Sequence, residues 1–115
     1  MDMAIDTSSI LFAYENKIDP FKLLIENGYT PVISKGVINE LKRIANSASR
    51  KRGYAKIALK VIQDKRIKVE GSEAYVDSWI LKSKMHACTN DKKLKQLLKR
   101  KGAFVVSISR GGKLR

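Results

Sequence analysis

The chain has 115 residues and carries 24 Lys+Arg against 11 Asp+Glu, a formal charge of +13. One domain is the natural reading for that length. So strong a positive bias points to a polyanion, nucleic acid before an anionic membrane surface, as a partner. No apolar run approaches the ~20 residues of a membrane span. The opening residues, Met1 to Asp6, lack a basic segment followed by an apolar one, so no secretion signal is expected. One cysteine, Cys88, and one histidine, His86, exclude an internal disulfide and a Cys-rich zinc site. They also disfavour Ser-His-Asp and Cys-His mechanisms. Any chemistry falls to carboxylates, and the expected compartment is a reducing cytoplasm.

Taken in order, Met3-Ala4-Ile5 reads as a short buried strand ending at Asp6. Thr7-Ser8-Ser9 offers capping side chains for a helix opening at Ile10-Leu11-Phe12. Asp19-Pro20 starts a second helix, with Phe21, Leu24 and Ile25 on one face and Asn27-Gly28 as its stop. Thr30 to Ser34 is a second strand. A helix with Val37, Ile38, Leu41, Ile44 and Ala45 on one side follows. Asn46 to Gly53 reads as a polar, basic loop. Ala55, Ala58, Leu59 and Ile62 then mark a further helix.

Ile67-Lys68-Val69 is a third strand, and Gly71-Ser72-Glu73 leads into a helix striped by Val76, Trp79, Ile80 and Ser83. Ala87-Cys88-Thr89 is a fourth strand, cut short by Asn90-Asp91. Leu94, Leu97 and Leu98 line a Lys-rich helix that Gly102 ends, and Phe104 to Ile108 is a fifth strand. The basic tail, residues 109–115, is expected to be loose. Strands alternating with helices imply an α/β fold with a parallel sheet covered on both faces.

Most of the six Asp and five Glu read as surface acids, among them Glu15, Glu26, Asp64, Glu70 and Glu73. Four stand apart. Asp6 and Asp91 follow strands one and four, and ligands bind beyond the carboxyl ends of such strands where the order reverses. Glu40 and Asp77 sit at the edges of apolar helix faces, where burying a carboxylate is costly unless it is paired or holds a cation. A nest of acids on a protein of this charge makes sense if divalent cations neutralise it. Mg²⁺ and Mn²⁺ favour carboxylate and water ligands beside phosphates. A pair of such ions can activate a water and stabilise the leaving oxygen of a phosphodiester.

These residues resemble the PIN-domain nucleases, in the small archaeal branch similar to the small-subunit rRNA-processing PIN proteins. The resemblance is carried by Ile5-Asp6-Thr7-Ser8, Val37-Ile38-Asn39-Glu40-Leu41, Val76-Asp77-Ser78-Trp79-Ile80 and Thr89-Asn90-Asp91 with Leu94. It extends to Asp19-Pro20-Phe21, Gly28 to Val32, the Ala55-Ala58-Leu59 helix and the basic tail. It implies a three-layer α/β sandwich with strand order 3-2-1-4-5 and a Mg²⁺- or Mn²⁺-dependent endoribonuclease. Asp6, Glu40, Asp77 and Asp91 take the catalytic and metal-holding positions. Thr7, Ser8, Thr89 and Asn90 would orient ligands or a phosphate behind them. Close relatives often carry a second acid where this chain has Ser78.

Positive charge concentrates in two stretches. Lys42 to Arg66 holds nine Lys/Arg and one acid, and Lys92 to Arg115 holds nine and none. Arg43, Arg50, Lys51, Arg52, Arg110, Lys113 and Arg115 are the expected RNA contacts, giving affinity and salt sensitivity without sequence choice. Tyr75 and Trp79 read as core or homodimer-interface residues, with base stacking as an unsupported alternative, Cys88 as a buried thiol and His86 as a surface or strand-edge residue. Two other readings use the same residues. One is a toxin ribonuclease whose antitoxin covers the acids. The other is a non-catalytic RNA-binding factor with a protein partner in ribosome assembly.

Overall fold

The computed structural model describes residues 1–71, 75–83 and 86–115. Five strands form one sheet: β1 (Asp2–Ile5), β2 (Thr30–Ile33), β3 (Lys68–Val69), β4 (His86–Cys88) and β5 (Val105–Val106). Six helices connect them: α1 (Thr7–Glu15), α2 (Pro20–Glu26), α3 (Lys35–Ala45), α4 (Arg52–Asp64), α5 (Val76–Ser83) and α6 (Lys92–Arg100). The order is β3-β2-β1-β4-β5 and every pairing is parallel, as the resemblance implies.

The layers follow from chain handedness. Steps from β1 to β2 and β3 run one way across the sheet, and the return to β4 and β5 runs the other. Right-handed crossovers therefore place α1 to α4 on one face and α5 and α6 on the other. The packing agrees: α1 touches α2, α3 and α4, whereas α5 touches α6. The core between the layers holds Met3, Ile5, Ile10, Phe21, Leu24, Ile33, Leu41, Ile80 and Leu98, all essentially inaccessible.

Helix starts are set by side chains that accept from the free amides of the first turn. Asp19 caps α2 through the Phe21 and Lys22 amides, with Pro20 at the first helical position. Ser34 caps α3 through the Val37 amide at 3.2 Å. The cap of α1 is Asp6, one residue before the hydroxyls expected to do so. The Thr7 and Ser9 hydroxyls are turned to other partners, described below.

Other local expectations shift. Strand five is confined to Val105–Val106, and Phe104 is half exposed against the Tyr29 and His86 rings. Ile25 and Leu97, each expected on an apolar face, lie half exposed. The helix at Arg52 begins inside the stretch read as a loop. Part of the Gly71-Ser72-Glu73 lead-in, with Glu73, lies outside the described residues.

The tail is not loose. Ser107 and Arg115 exchange both backbone hydrogen bonds (3.0 and 2.8 Å), and the Ser109 amide reaches the Lys113 carbonyl at 2.9 Å. Ile108 and Leu114 bridge antiparallel, and Gly112 takes the positive φ of the turn, +80°. Buried Ile108 and half-buried Leu114 give this hairpin an apolar anchor, which is why the charged residues between them do not free it.

Gly71 has φ +89°, and a Cβ there would stand 2.5 Å from Trp79 Nε1. Gly71→Ala combines a disfavoured backbone with that clash. It should cost at least about 1 kcal/mol and lower Tm by about 4 °C or more, read by thermal unfolding. An unchanged Tm would mean that the Trp79 indole is free to move.

Candidate active site

The strand order reverses between β1 and β4. Their register pairs Ile5 with Cys88, so the next residues, Asp6 and Thr89, emerge side by side at the carboxyl edge. Asp6 is only 4% exposed. Its Oδ1 accepts from the Ser9 amide at 3.0 Å and its Oδ2 from the Thr89 hydroxyl at 2.6 Å. Thr89 Oγ1 in turn accepts from the Asp91 amide at 3.1 Å. One buried hydroxyl thus fixes the spacing of the two aspartates at the reversal. Asp91 caps α6 by accepting from the Leu94 amide at 3.0 Å.

The other two acids arrive from opposite layers. Glu40 lies midway along α3 and accepts from the Thr7 hydroxyl at 2.6 Å, a bond that ties α3 to the start of α1. Asp77 stands in the first turn of α5. Asp6, Thr7, Ser8, Glu40, Tyr75, Val76, Asp77 and Asp91 line one open cavity of about 410 Å³.

The electrostatics confirm the crowding. Burial is the main cause that raises the Asp6 pKa above the ordinary carboxylate value. Bonds from Ser9 and Thr89 pull it back, and the Asp91 charge adds to the rise. Asp77 is raised by desolvation first, then by the charges of Asp6, Asp91 and Glu40. Four carboxylates share this cavity, and Asp6 and Asp77 resist ionisation because they are desolvated first and because their acidic neighbours add to the rise.

The cavity offers only hard oxygen donors, which suits Mg²⁺ or Mn²⁺. Among the described residues, no group of three or more His, Cys, Asp or Glu side chains is gathered tightly enough to enclose an ion by itself. Mg²⁺ asks for less. It keeps several waters and binds through one or two carboxylates and substrate phosphates, so the residues present fit it.

The supporting residues divide. Thr7 and Thr89 orient Glu40 and Asp6, and Ser8 is exposed on the cavity wall. Asn90 faces away: its amide nitrogen donates to the Ile108 carbonyl at 3.0 Å and its oxygen accepts from the Ile108 amide at 2.8 Å. Both ends of the side chain are spent holding the tail hairpin, so Asn90 does not present its amide to a phosphate. Ser78 is half buried on α5 and does not line the cavity.

Sequence reading passed over several contributors. Ser9 Oγ, in a buried residue, accepts from the Asn90 amide at 3.1 Å. Ser107 donates to the Thr89 carbonyl at 2.7 Å and accepts from Lys95 Nζ at 2.8 Å. Tyr75, 87% exposed at the cavity wall, is not a core residue. Its position beside an acid in the 73–80 stretch was the available signal. Trp79 is buried, as expected, and so is Cys88, whose thiol burial pushes up to about 12. His86 begins β4 at the opposite end of the strand from Asp6 and Thr89, and its Nδ1 accepts from the Phe104 amide at 2.9 Å.

All the predicted RNA contacts are exposed. Arg43 lies on α3, Arg110, Lys113 and Arg115 on the hairpin, and Arg50 and Lys51 at a second cavity.

A parallel sheet of order 3-2-1-4-5 with carboxylates gathered at its reversal is the arrangement of a PIN-like domain. Residues 3–111 match the PIN-like domain family, and the chain belongs to it. Among solved structures it is similar to the PIN domain endonuclease Utp24, with 27% identity and a TM-score of 0.79 over 99% of this chain and 90% of that one. It is also similar to a domain of a functionally unknown protein from Methanocaldococcus jannaschii DSM 2661, with 19% identity and a TM-score of 0.60 over 94% and 91% of the two chains. That second likeness is one of fold alone. No curated protein matches the chain. No helix among the described residues is long and apolar enough to cross a membrane.

Proposed function

We propose that this protein is a divalent-metal-dependent endoribonuclease that hydrolyses RNA phosphodiester bonds in the cytoplasm, with ribosomal RNA as its substrate. The observation that carries the reading is the convergence of Asp6, Glu40, Asp77 and Asp91 on one cavity of a chain whose net charge is +13. Supporting it are the family and the likeness to an endonuclease over nearly the whole chain. The choice of rRNA rests on the sequence resemblance to the small-subunit processing branch.

Asp6, Glu40, Asp77 and Asp91 would hold Mg²⁺ or Mn²⁺. When bound, such ions supply a polarised water and charge stabilisation for the leaving oxygen. The chain does the positioning. Thr89 fixes the Asp6 carboxylate and Thr7 fixes Glu40, so their free lone pairs face the cavity without a search over rotamers. The Asn90 clamp on Ile108 and the Ser107 bond to Thr89 hold the strand ends beneath them. Exposed Arg and Lys side chains draw the polyanion toward a site whose own charge would repel it.

The basic surface gives a separate test. Replacing Arg50, Lys51 and Arg52 with Ala should weaken RNA binding and flatten its salt dependence by up to ~2 in log–log slope. The measurement is a salt titration of the affinity for single-stranded RNA. An unchanged slope would move the strand to another face.

A further inference from the structure

A second cavity of about 330 Å³ lies away from the acids, lined by Glu15, Ser49, Arg50, Lys51 and Tyr54. It is at the small end of ligand-sized cavities, sufficient for one base. Two elements lead to it from the acidic cavity. Thr7, at the start of α1, lines the acidic cavity and Glu15, at the end of the same helix, lines the second. Glu40 of α3 lines the first, and Ser49, in the loop after α3, lines the second. Along α1 the two ends are about 12 Å apart at 1.5 Å per residue, a distance that a strand of a few nucleotides covers.

The lining has three chemistries that belong together in one ligand. Arg50 and Lys51 are exposed cations suited to a phosphate. Tyr54 is a half-buried ring, a flat apolar surface for a base. Glu15 is an acid that, when ionised, only accepts hydrogen bonds. Among the described residues, the side chains of Glu15, Arg50, Lys51 and Tyr54 have no hydrogen-bond or ion-pair partner. An acid left unpaired beside two cations is available to a donor from outside. Guanine fits best, because its Watson–Crick edge presents two adjacent N–H groups to one carboxylate, where uracil presents one.

We propose that this cavity is a guanosine subsite for single-stranded RNA, with the base on Tyr54 and Glu15 and its phosphate on Arg50 and Lys51. It sets where a strand lies relative to the acids and so which bond reaches them. The proposal rests on the RNA-nuclease reading and names its substrate preference.

The test is fluorescence anisotropy with labelled uridine-rich RNA nonamers carrying guanosine, adenosine, cytidine or only uridine at alternate positions. It is run in EDTA, so that binding is read without cleavage. The guanosine strand should bind roughly tenfold more tightly, the scale of one good bidentate base contact. Glu15→Gln should reduce that preference to about twofold or less without weakening the uridine strand more than about twofold, since Gln keeps one acceptor oxygen and removes a charge that repels phosphate. Tyr54→Leu should weaken every strand roughly tenfold, whereas Tyr54→Phe should not. Thermal unfolding checks that each variant is folded, and Glu15→Gln decides the matter if Tyr54→Leu is not.

Equal affinity for the four strands overturns the proposal, as does a guanosine preference that survives Glu15→Gln. A wild type that cleaves RNA but binds the four strands alike loses this inference alone. A guanosine preference lost in Glu15→Gln, together with no metal-dependent cleavage, overturns the nuclease reading and keeps the subsite.

Discussion

Asp6→Asn and Asp91→Asn should each reduce Mn²⁺- or Mg²⁺-dependent RNA cleavage by more than about a hundredfold, the upper end of what losing a supporting contact around a metal costs. RNA affinity, measured in the same variants without metal, should be retained or increased. Both effects have one cause. Each substitution removes a negative charge from a cavity that must receive a phosphate, so binding loses a repulsion while the hard-ion donor set loses an oxygen anion. Asn keeps an oxygen of the same shape, so Asp6→Asn can still accept from the Ser9 amide and Asp91→Asn from that of Leu94. The caps of α1 and α6 are therefore preserved, and loss of activity would not reflect melted helices. Cleavage by either variant at the wild-type rate would remove the catalytic assignment. A non-catalytic RNA-binding factor would then be left.

The second large effect is on stability. Asp6 and Asp77 both have raised pKa values, so the folded protein holds their protons more tightly than the unfolded chain does. Their contribution is fully favourable below the ordinary carboxylate pKa and is lost as pH rises through the raised folded values. At neutral pH, without metal, the Asp6 and Asp77 charges are a stability cost. Asp77→Asn should therefore raise Tm of the metal-free protein at neutral pH and leave it little changed in acid. Mn²⁺ should raise the wild-type Tm at neutral pH, because it binds the folded cluster and not the unfolded chain. At a concentration of 100 times Kd the gain is about 2.7 kcal/mol. The gain should shrink in Asp6→Asn. Differential scanning fluorimetry across pH and Mn²⁺ concentration reads all of these. A Tm indifferent to millimolar Mn²⁺ would speak against a preformed ion site. A metal-free Tm lowered by Asp77→Asn would mean that its carboxylate makes a favourable contact.

Much of the architecture is local and therefore visible in the residues. Asp19-Pro20 marks a helix start because proline presets its own φ and the aspartate accepts the free amides. Met3-Ala4-Ile5, too short and too apolar for anything exposed, can only be a buried strand. The same locality misleads at Thr7-Ser8-Ser9, where any of several oxygens could cap α1. Asp6 takes the cap because its backbone is still extended from β1, and the Thr7 hydroxyl is drawn to Glu40, 33 residues away. Asn90 is a similar case. Its neighbour Asp91 made a ligand role natural, yet its amide matches the backbone N–H and C=O of buried Ile108, which no local pattern reveals. The tail looked loose because charge and glycine dominate it, but two apolar residues six apart fold it back.

By itself the sequence determined the alternation of strands and helices, the positive charge that seeks a polyanion, and the four acids in the frame of a family. These depend on periodicity, composition and short-range capping, all written along the chain. The tertiary structure alone decided which side chains share a cavity. Thr89 meets Asp6 only because β1 and β4 pair in one register, and Glu15 shares a cavity with Tyr54 only because α1 packs against α4. Contacts between distant residues follow from how whole layers pack, and no stretch of the chain encodes them separately.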